Sequence, residues 1–160
     1  MGLKEAVRTG LRKWITFSGR ASRAEYWWFY LGSTLIMLAV IAVAALLVMG
    51  LSNAPQVLFW PIGIVVGLVL LWLYIAQLSA FVRRFHDRNL SGWWILGYIG
   101  LSAMGGALGE LAPGIGLIAS ILMFAAAIAV FVITVLRGTE GANAFGPDPL
   151  VEQRPEQVFE

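Results

Sequence analysis

Four long stretches of this chain carry no charge at all. Tyr26 to Gly50, Val57 to Val82, Leu90 to Leu108 and Gly114 to Leu136 contain no Lys, Arg, Asp, Glu or His. Crossing a hydrocarbon core of roughly 30 Å takes about 20 helical residues, and only helices or closed barrels satisfy their backbone there. The runs predict membrane-spanning helices at 26–50, 57–82, 90–108 and 114–136. All 11 Lys and Arg lie outside them. Lys4, Arg8, Arg12, Lys13, Arg20 and Arg23 precede the first run, Arg83, Arg84 and Arg88 follow the second, and Arg137 and Arg154 follow the fourth. The loops Leu51 to Gln56 and Gly109 to Pro113 carry none. Positive loops stay cytoplasmic, so four passes with both termini cytoplasmic are expected.

The predicted fold is all-α: a polytopic four-helix transmembrane bundle with an N-terminal interfacial amphipathic helix. Its parts are the amphipathic helix at 1–18, the bundle at 19–137 and a turn-rich, acidic cytoplasmic tail at 138–160. With 59% hydrophobic and 12% charged residues, the chain falls well short of the about 25% charged residues typical of soluble domains. Its 160 residues leave room for one bundle. The absence of cysteine excludes disulfide and thiolate chemistry. A pI near 9.3 reflects topology and does not point to nucleic acid. The basic N-terminal arm suits anionic headgroups of the bilayer. The tail sets Glu140, Asp148, Glu152, Glu156 and Glu160 against Arg137 and Arg154. The first apolar run is too long and too late for a cleavable signal. Ala6 stands where a myristoylation signal has Ser or Thr.

Leu3, Val7, Leu11, Trp14, Ile15 and Ser18 recur at helical spacing, with Lys4, Arg8, Arg12 and Lys13 mostly opposite. This predicts a helix lying in the interface with Trp14 at headgroup depth, broken by Ser18-Gly19. Ser22 and Glu25 have the spacing of a capping box, which would start the first membrane helix at Arg23. Tyr26, Trp27, Trp28, Phe29 and Tyr30 form an aromatic collar there, and Trp93 and Trp94 hold the equivalent place before the third span. The two helix starts resemble each other, but positive loops and an aromatic belt produce that likeness without duplication. Gly63-xxx-Gly67 permits close helix contact. The glycine-studded third run should be short, kinked or tightly packed. Ser120, Ala125, Ala126, Ala127 and Ala129 suit burial. Gln77, with Tyr74 and Ser79, is the most polar patch within the spans, and Glu110 falls in an outer loop.

Three polar segments remain, and the charge pattern puts all three on one side. Phe17 to Trp27 contains Gly19, Arg20, Arg23, Tyr26 and Trp27. Arg83 to Trp94 contains Arg83, Arg84, His86, Asp87, Ser91, Gly92, Trp93 and Trp94. Gly141 to Pro149 contains Gly141, Asn143, Phe145, Gly146, Asp148 and Pro149. In these motifs, taken in order across about residues 15–150, the chain resembles the bacterial membrane family known as domain of unknown function 805. That resemblance implies a multi-pass protein of the bacterial inner membrane and no agreed biochemical activity.

The candidate site is an inner-face polar cluster of Arg20, Arg23, Arg83, Arg84, His86, Asp87, Arg88, Asn143 and Asp148, acting as a structural lock or a ligand site. Asp87 is the lone acid among Arg83, Arg84 and Arg88, so a bidentate pairing with Arg20 or Arg23 is expected. His86 is the only histidine. Alone and without cysteines it falls short of a zinc set, so no metal, cofactor or catalytic residue is expected. The spans lack the ionisable groups of pumps and relays. An accessory subunit, scaffold or interaction module, meeting a membrane-protein partner or itself, is the leading expectation. A small oligomeric transporter or channel component is the second. A phospholipid-binding or lipid-directed enzyme, using Arg20, Arg23, Arg84 and Arg88 for headgroup phosphate, is the third.

Overall fold

The computed structural model describes residues 1–51, 53–111 and 113–152. Arg154, Glu156 and Glu160 of the expected acidic tail lie outside them. In order, the helices are α1 (Leu3–Arg12), α2 (Arg23–Gly50), α3 (Phe59–Asp87, led in by a 3-10 turn at Gln56–Leu58), α4 (Trp94–Leu111), α5 (Pro113–Val135) and the short α6 (Pro149–Glu152). Among the described residues there is no β-strand.

Arg23–Gly50, Gln56–Asp87 and Gly114–Val135 are long and apolar enough to cross a membrane, and α4 contributes a shorter apolar helix. The 18 residues of α4 rise about 27 Å, slightly less than a hydrocarbon core. Only 11%, 6% and 6% of the three most apolar windows are buried, so side chains such as Leu46, Ile64, Leu117 and Phe124 face outward. Water would penalise apolar patches of this extent. Lipid does not, and helices meet its demand for internal backbone hydrogen bonds. This is an all-α membrane protein.

The chain forms two compact units, Met1–Phe17 with Ala24–Ala80, and Ser18–Arg23 with the chain from Phe81 onward. In the first, α1 stops at Arg12, short of the expected residue 18. Lys13 N–H closes on Thr9 O at 2.9 Å, and Thr16 N–H turns back to Lys13 O at 3.0 Å. Ser79 Oγ lies 2.9 Å from Lys13 O and 2.7 Å from Thr16 O, so a hydroxyl on α3 fastens the turn that follows α1. Inside the protein, α1 packs through its small residues. Ala6 and Gly10 are buried, while Trp14, Ile15 and Phe17 are exposed. A Cβ on Gly10 would strike the Phe29 ring, and one on Gly32 would strike Val7. Small size, which lets two helices approach, governs this face more than hydrophobicity does.

The expected polar patch on α3 separates. Gln77 Nε2 donates to Ser33 Oγ at 2.9 Å, and Ser33 Oγ donates to Phe29 O at 2.7 Å. Ser79 turns to α1, and Tyr74 is exposed. Gly63 and Gly67 meet nothing within 4 Å, so no close helix contact forms there among the described residues. Tyr26, expected in the interfacial collar, is buried, whereas Trp28 is exposed. Tyr26 stacks on Tyr30 with centroids 6.2 Å apart and meets Trp27 edge-on at 5.3 Å.

In the second unit, α4 packs against α5 through its glycines. A Cβ on Gly105 would lie 3.0 Å from Ala119 Cβ, and one on Gly116 would lie 2.8 Å from Gly109 Cα. The small patch expected to be buried on α5 is largely open: Ser120, Ala125 and Ala129 are exposed and Ala126 is half-buried. Glu110 sits within α4, exposed, rather than in a loop. The start of α4 moves from Leu90 to Trp94 because Ser91 to Trp93 form a turn, with Trp93 N–H donating to Ser91 Oγ at 3.3 Å. Trp93 and Trp94 are 76% and 66% exposed, as headgroup-level aromatics are.

Candidate functional site

Arg83, Arg84, His86 and Asp87 belong to the last turn of α3 and not to a loop as the apolar run alone suggests. The helix continues past its apolar stretch until Asn89, at φ 56°, turns it off. Leu90 N–H reaches Phe85 O at 3.1 Å and Asn89 N–H reaches His86 O at 2.9 Å. That pair of bonds is a Schellman motif, with asparagine in the left-handed position that glycine more often fills. Helical geometry then aims Arg84 and Asp87 the same way, three residues apart.

Asp87 lies between two guanidinium groups. Arg20 Nε donates to Oδ1 at 2.9 Å, and Arg20 Nη2 is also 2.9 Å from that oxygen. Arg84 Nη1 donates to Oδ2. The side chains are 1%, 0% and 5% exposed for Arg20, Arg84 and Asp87, so the pairs are buried. Of the two partners expected for Asp87, Arg20 makes the contact, and Arg23 is exposed.

The remaining donors of both arginines go to backbone. Arg84 Nε donates to Thr134 O at 2.9 Å, Nη2 to Leu136 O, and Nη1 also to Ala21 O at 3.3 Å. Thr134 O and Leu136 O lie at the C-terminal end of α5, where orphan acceptors and the negative end of the helix dipole favour a cation. Arg20 Nη2 donates to Thr139 O and Nη1 to Gly141 O, each at 2.5 Å. Two arginines around one carboxylate are thus balanced partly by carbonyls. Arg88 Nη1 donates to Arg137 O. Arg83 is buried, and its carbonyl accepts from Ala21 N–H at 3.0 Å.

The backbone closes around the same point. Thr139 N–H donates to Asp87 O at 2.8 Å, and Asn143 Nδ2 donates to His86 O and to Thr139 Oγ1, both at 2.9 Å. His86 Nδ1 lies 3.1 Å from Gly19 O. A carbonyl can only accept, so Nδ1 carries the proton. The His86 ring stacks on Phe145 with centroids 4.0 Å apart and planes 7° off parallel. Asp148 accepts from Gly141 N–H at 3.2 Å and from Leu150 N–H at 2.9 Å, fastening the turn between them. Gly19, Gly141 and Gly146 all have positive φ, which accounts for glycine in two of the polar motifs. Ser22 is buried, and so is Glu25 in the first turn of α2.

Sequence reasoning missed Gly138 and Thr139. A Cβ on Gly138 would collide with the Asp87 carboxylate. Its only sequence signal was a glycine after the last span. Among the described residues, no group of three or more His, Cys, Asp or Glu could hold a metal ion.

Inner membrane protein YhaH of Escherichia coli (strain K12) is 30% identical over 142 residues, which cover 89% of this chain and 93% of that protein. Inner membrane protein YhaI of the same strain is 30% identical over 139 residues, covering 87% and 90%. No solved structure matches. Residues 14–147, which take in the first two polar motifs and the third as far as Pro147, match the family described as Protein of unknown function (DUF805), and the chain belongs to that family.

Proposed function

We propose that this protein is a non-catalytic accessory or interaction module of an inner-membrane assembly, with both termini in the cytoplasm. Its cluster of Arg20, Arg84 and Asp87 acts as a structural lock. The observation that carries the reading is how the arginines are used. A phosphate or substrate site keeps guanidinium donors open, whereas here Arg20 and Arg84 direct theirs to Asp87 and to the carbonyls of Ala21, Thr134, Leu136, Thr139 and Gly141. Both oxygens of Asp87 are engaged, which suits a fastener better than a general base.

The lock would hold the end of α3, the end of α5 and the chain after it as one rigid base, leaving the outward helix faces to lipid and protein partners. Cross-linking in membranes, followed by purification of the full chain in mild detergent, tests this. A second membrane protein in fixed stoichiometry, recovered reciprocally when it carries the tag, is the expected result. A chain that purifies only with itself and passes ions or solutes across liposomes would favour a transporter or channel component instead.

A further inference from the structure

An apolar cleft of about 780 Å³ opens in the second unit, between α4, α5 and the last turn of α3. Phe85, Leu90, Trp94 and Ile133 stand at one end of it, and Met104 and Ala126 at the other. Gly97 and Gly100 line it as well, and a Cβ on either would meet nothing within 4 Å. From Trp94 to Met104 the helix rises about 15 Å, half of a hydrocarbon core of roughly 30 Å. The cleft is therefore about one leaflet deep. A cleft with this lining does not attract water, and left empty it would forfeit packing on every wall.

Charge marks the end where the headgroup would lie. Arg88 follows Phe85 and precedes Leu90 in sequence, and Arg137 follows Ile133 by one turn. The Arg88 guanidinium donates to Arg137 O, joining the two positions. Arg137 is 66% exposed and pairs at the surface with Glu140 at 3.2 Å. The opposite end, at Met104 and Ala126, is uncharged.

We propose that this cleft holds one acyl chain of an anionic phospholipid from the leaflet on the arginine side, with its phosphate drawn to Arg88 and Arg137. This site is distinct from the buried cluster at Asp87 and does not depend on the accessory role. Lipid tails gain little hydrophobic energy on moving from bilayer to protein. Retention should therefore depend on both shape and headgroup charge, and the two can be tested separately.

Native mass spectrometry of the full chain, released from detergent with added dioleoyl phosphatidylglycerol or dioleoyl phosphatidylcholine, reads both. The wild type should retain one phosphatidylglycerol per chain and prefer it to phosphatidylcholine. Gly100→Leu, which grows a side chain into open space, should abolish retention while the protein melts as the wild type does. Gly97→Leu is the second plug if the first fails to fold. Arg137→Gln should lower the preference about fivefold, the effect of one basic residue at a charged membrane surface. Unchanged retention in a folded plug variant overturns the proposal, as does equal retention of the two lipids by the wild type. A lipid-free dimer that the plug disperses would assign the cleft to a second copy and also overturn it.

Discussion

Arg20 donates through Nε to Asp87 Oδ1 at 2.9 Å across 67 residues of sequence. The contact joins the segment before the first span to the end of the second, and both side chains are shielded from solvent. Breaking a buried ion pair by removing one partner leaves an uncompensated charge and costs about 3–5 kcal/mol, whereas an exposed pair is worth about 0–1 kcal/mol. Arg137 with Glu140, at 66% and 77% exposure, is the exposed kind. Glu140→Gln should therefore leave the melting temperature within error of wild type in any one detergent.

Gly138 packs against the Asp87 carboxylate with no room for a methyl group. Gly138→Ala must displace the carboxylate or the chain, and overpacking of this kind costs about 1–3 kcal/mol. The expected result is a clear fall in thermal stability. Gly2→Ala, at a position where a Cβ meets nothing, is the matched control and should melt like the wild type.

Asn89 ends α3 at φ 56°. A left-handed conformation costs an ordinary L-residue about 1–2 kcal/mol, and glycine and asparagine escape most of that. Asn89→Val should lower stability by about that amount, and Asn89→Gly should hold or raise it. Paired thermal melts of the two variants check the sign.

Orientation is open to a direct test because the natural chain has no cysteine. Single cysteines replacing Asn53 and Glu110 should react with a membrane-impermeant maleimide in intact cells. Those replacing Arg12 and Leu150 should react only after permeabilisation. The reverse pattern would invert the topology inferred from the positive loops.

Much of the architecture is legible in the chain because a bilayer demands it. Uncharged runs such as Tyr26 to Gly50 have few alternatives to an apolar helix, and α2 covers that run after beginning at Arg23. Helix ends are less legible. The end of α3 lies five residues beyond Val82 because hydropathy does not register the Schellman turn at Asn89. The face of α1 that packs inside the protein is less legible, because apolar periodicity marks Leu3 and Leu11 for the interface while close approach uses Ala6 and Gly10. At the site, the lone acid among arginines pointed to Asp87 and to a partner before the first span. The choice of Arg20 over Arg23, and the capping of α5 by Arg84, depend on three-dimensional approach that spacing does not encode.

Thermal unfolding of Asp87→Ala, Asp87→Glu and His86→Ala in one detergent tests the lock at Asp87 most directly. With Asp87 as the fastener, Asp87→Ala should lose about 3–5 kcal/mol, and Asp87→Glu should recover only part of that. His86→Ala should lose less, because it removes one hydrogen bond and one ring contact. An Asp87→Ala protein that melts at or above the wild-type temperature would contradict the lock and mark the arginines as a site for an external anion.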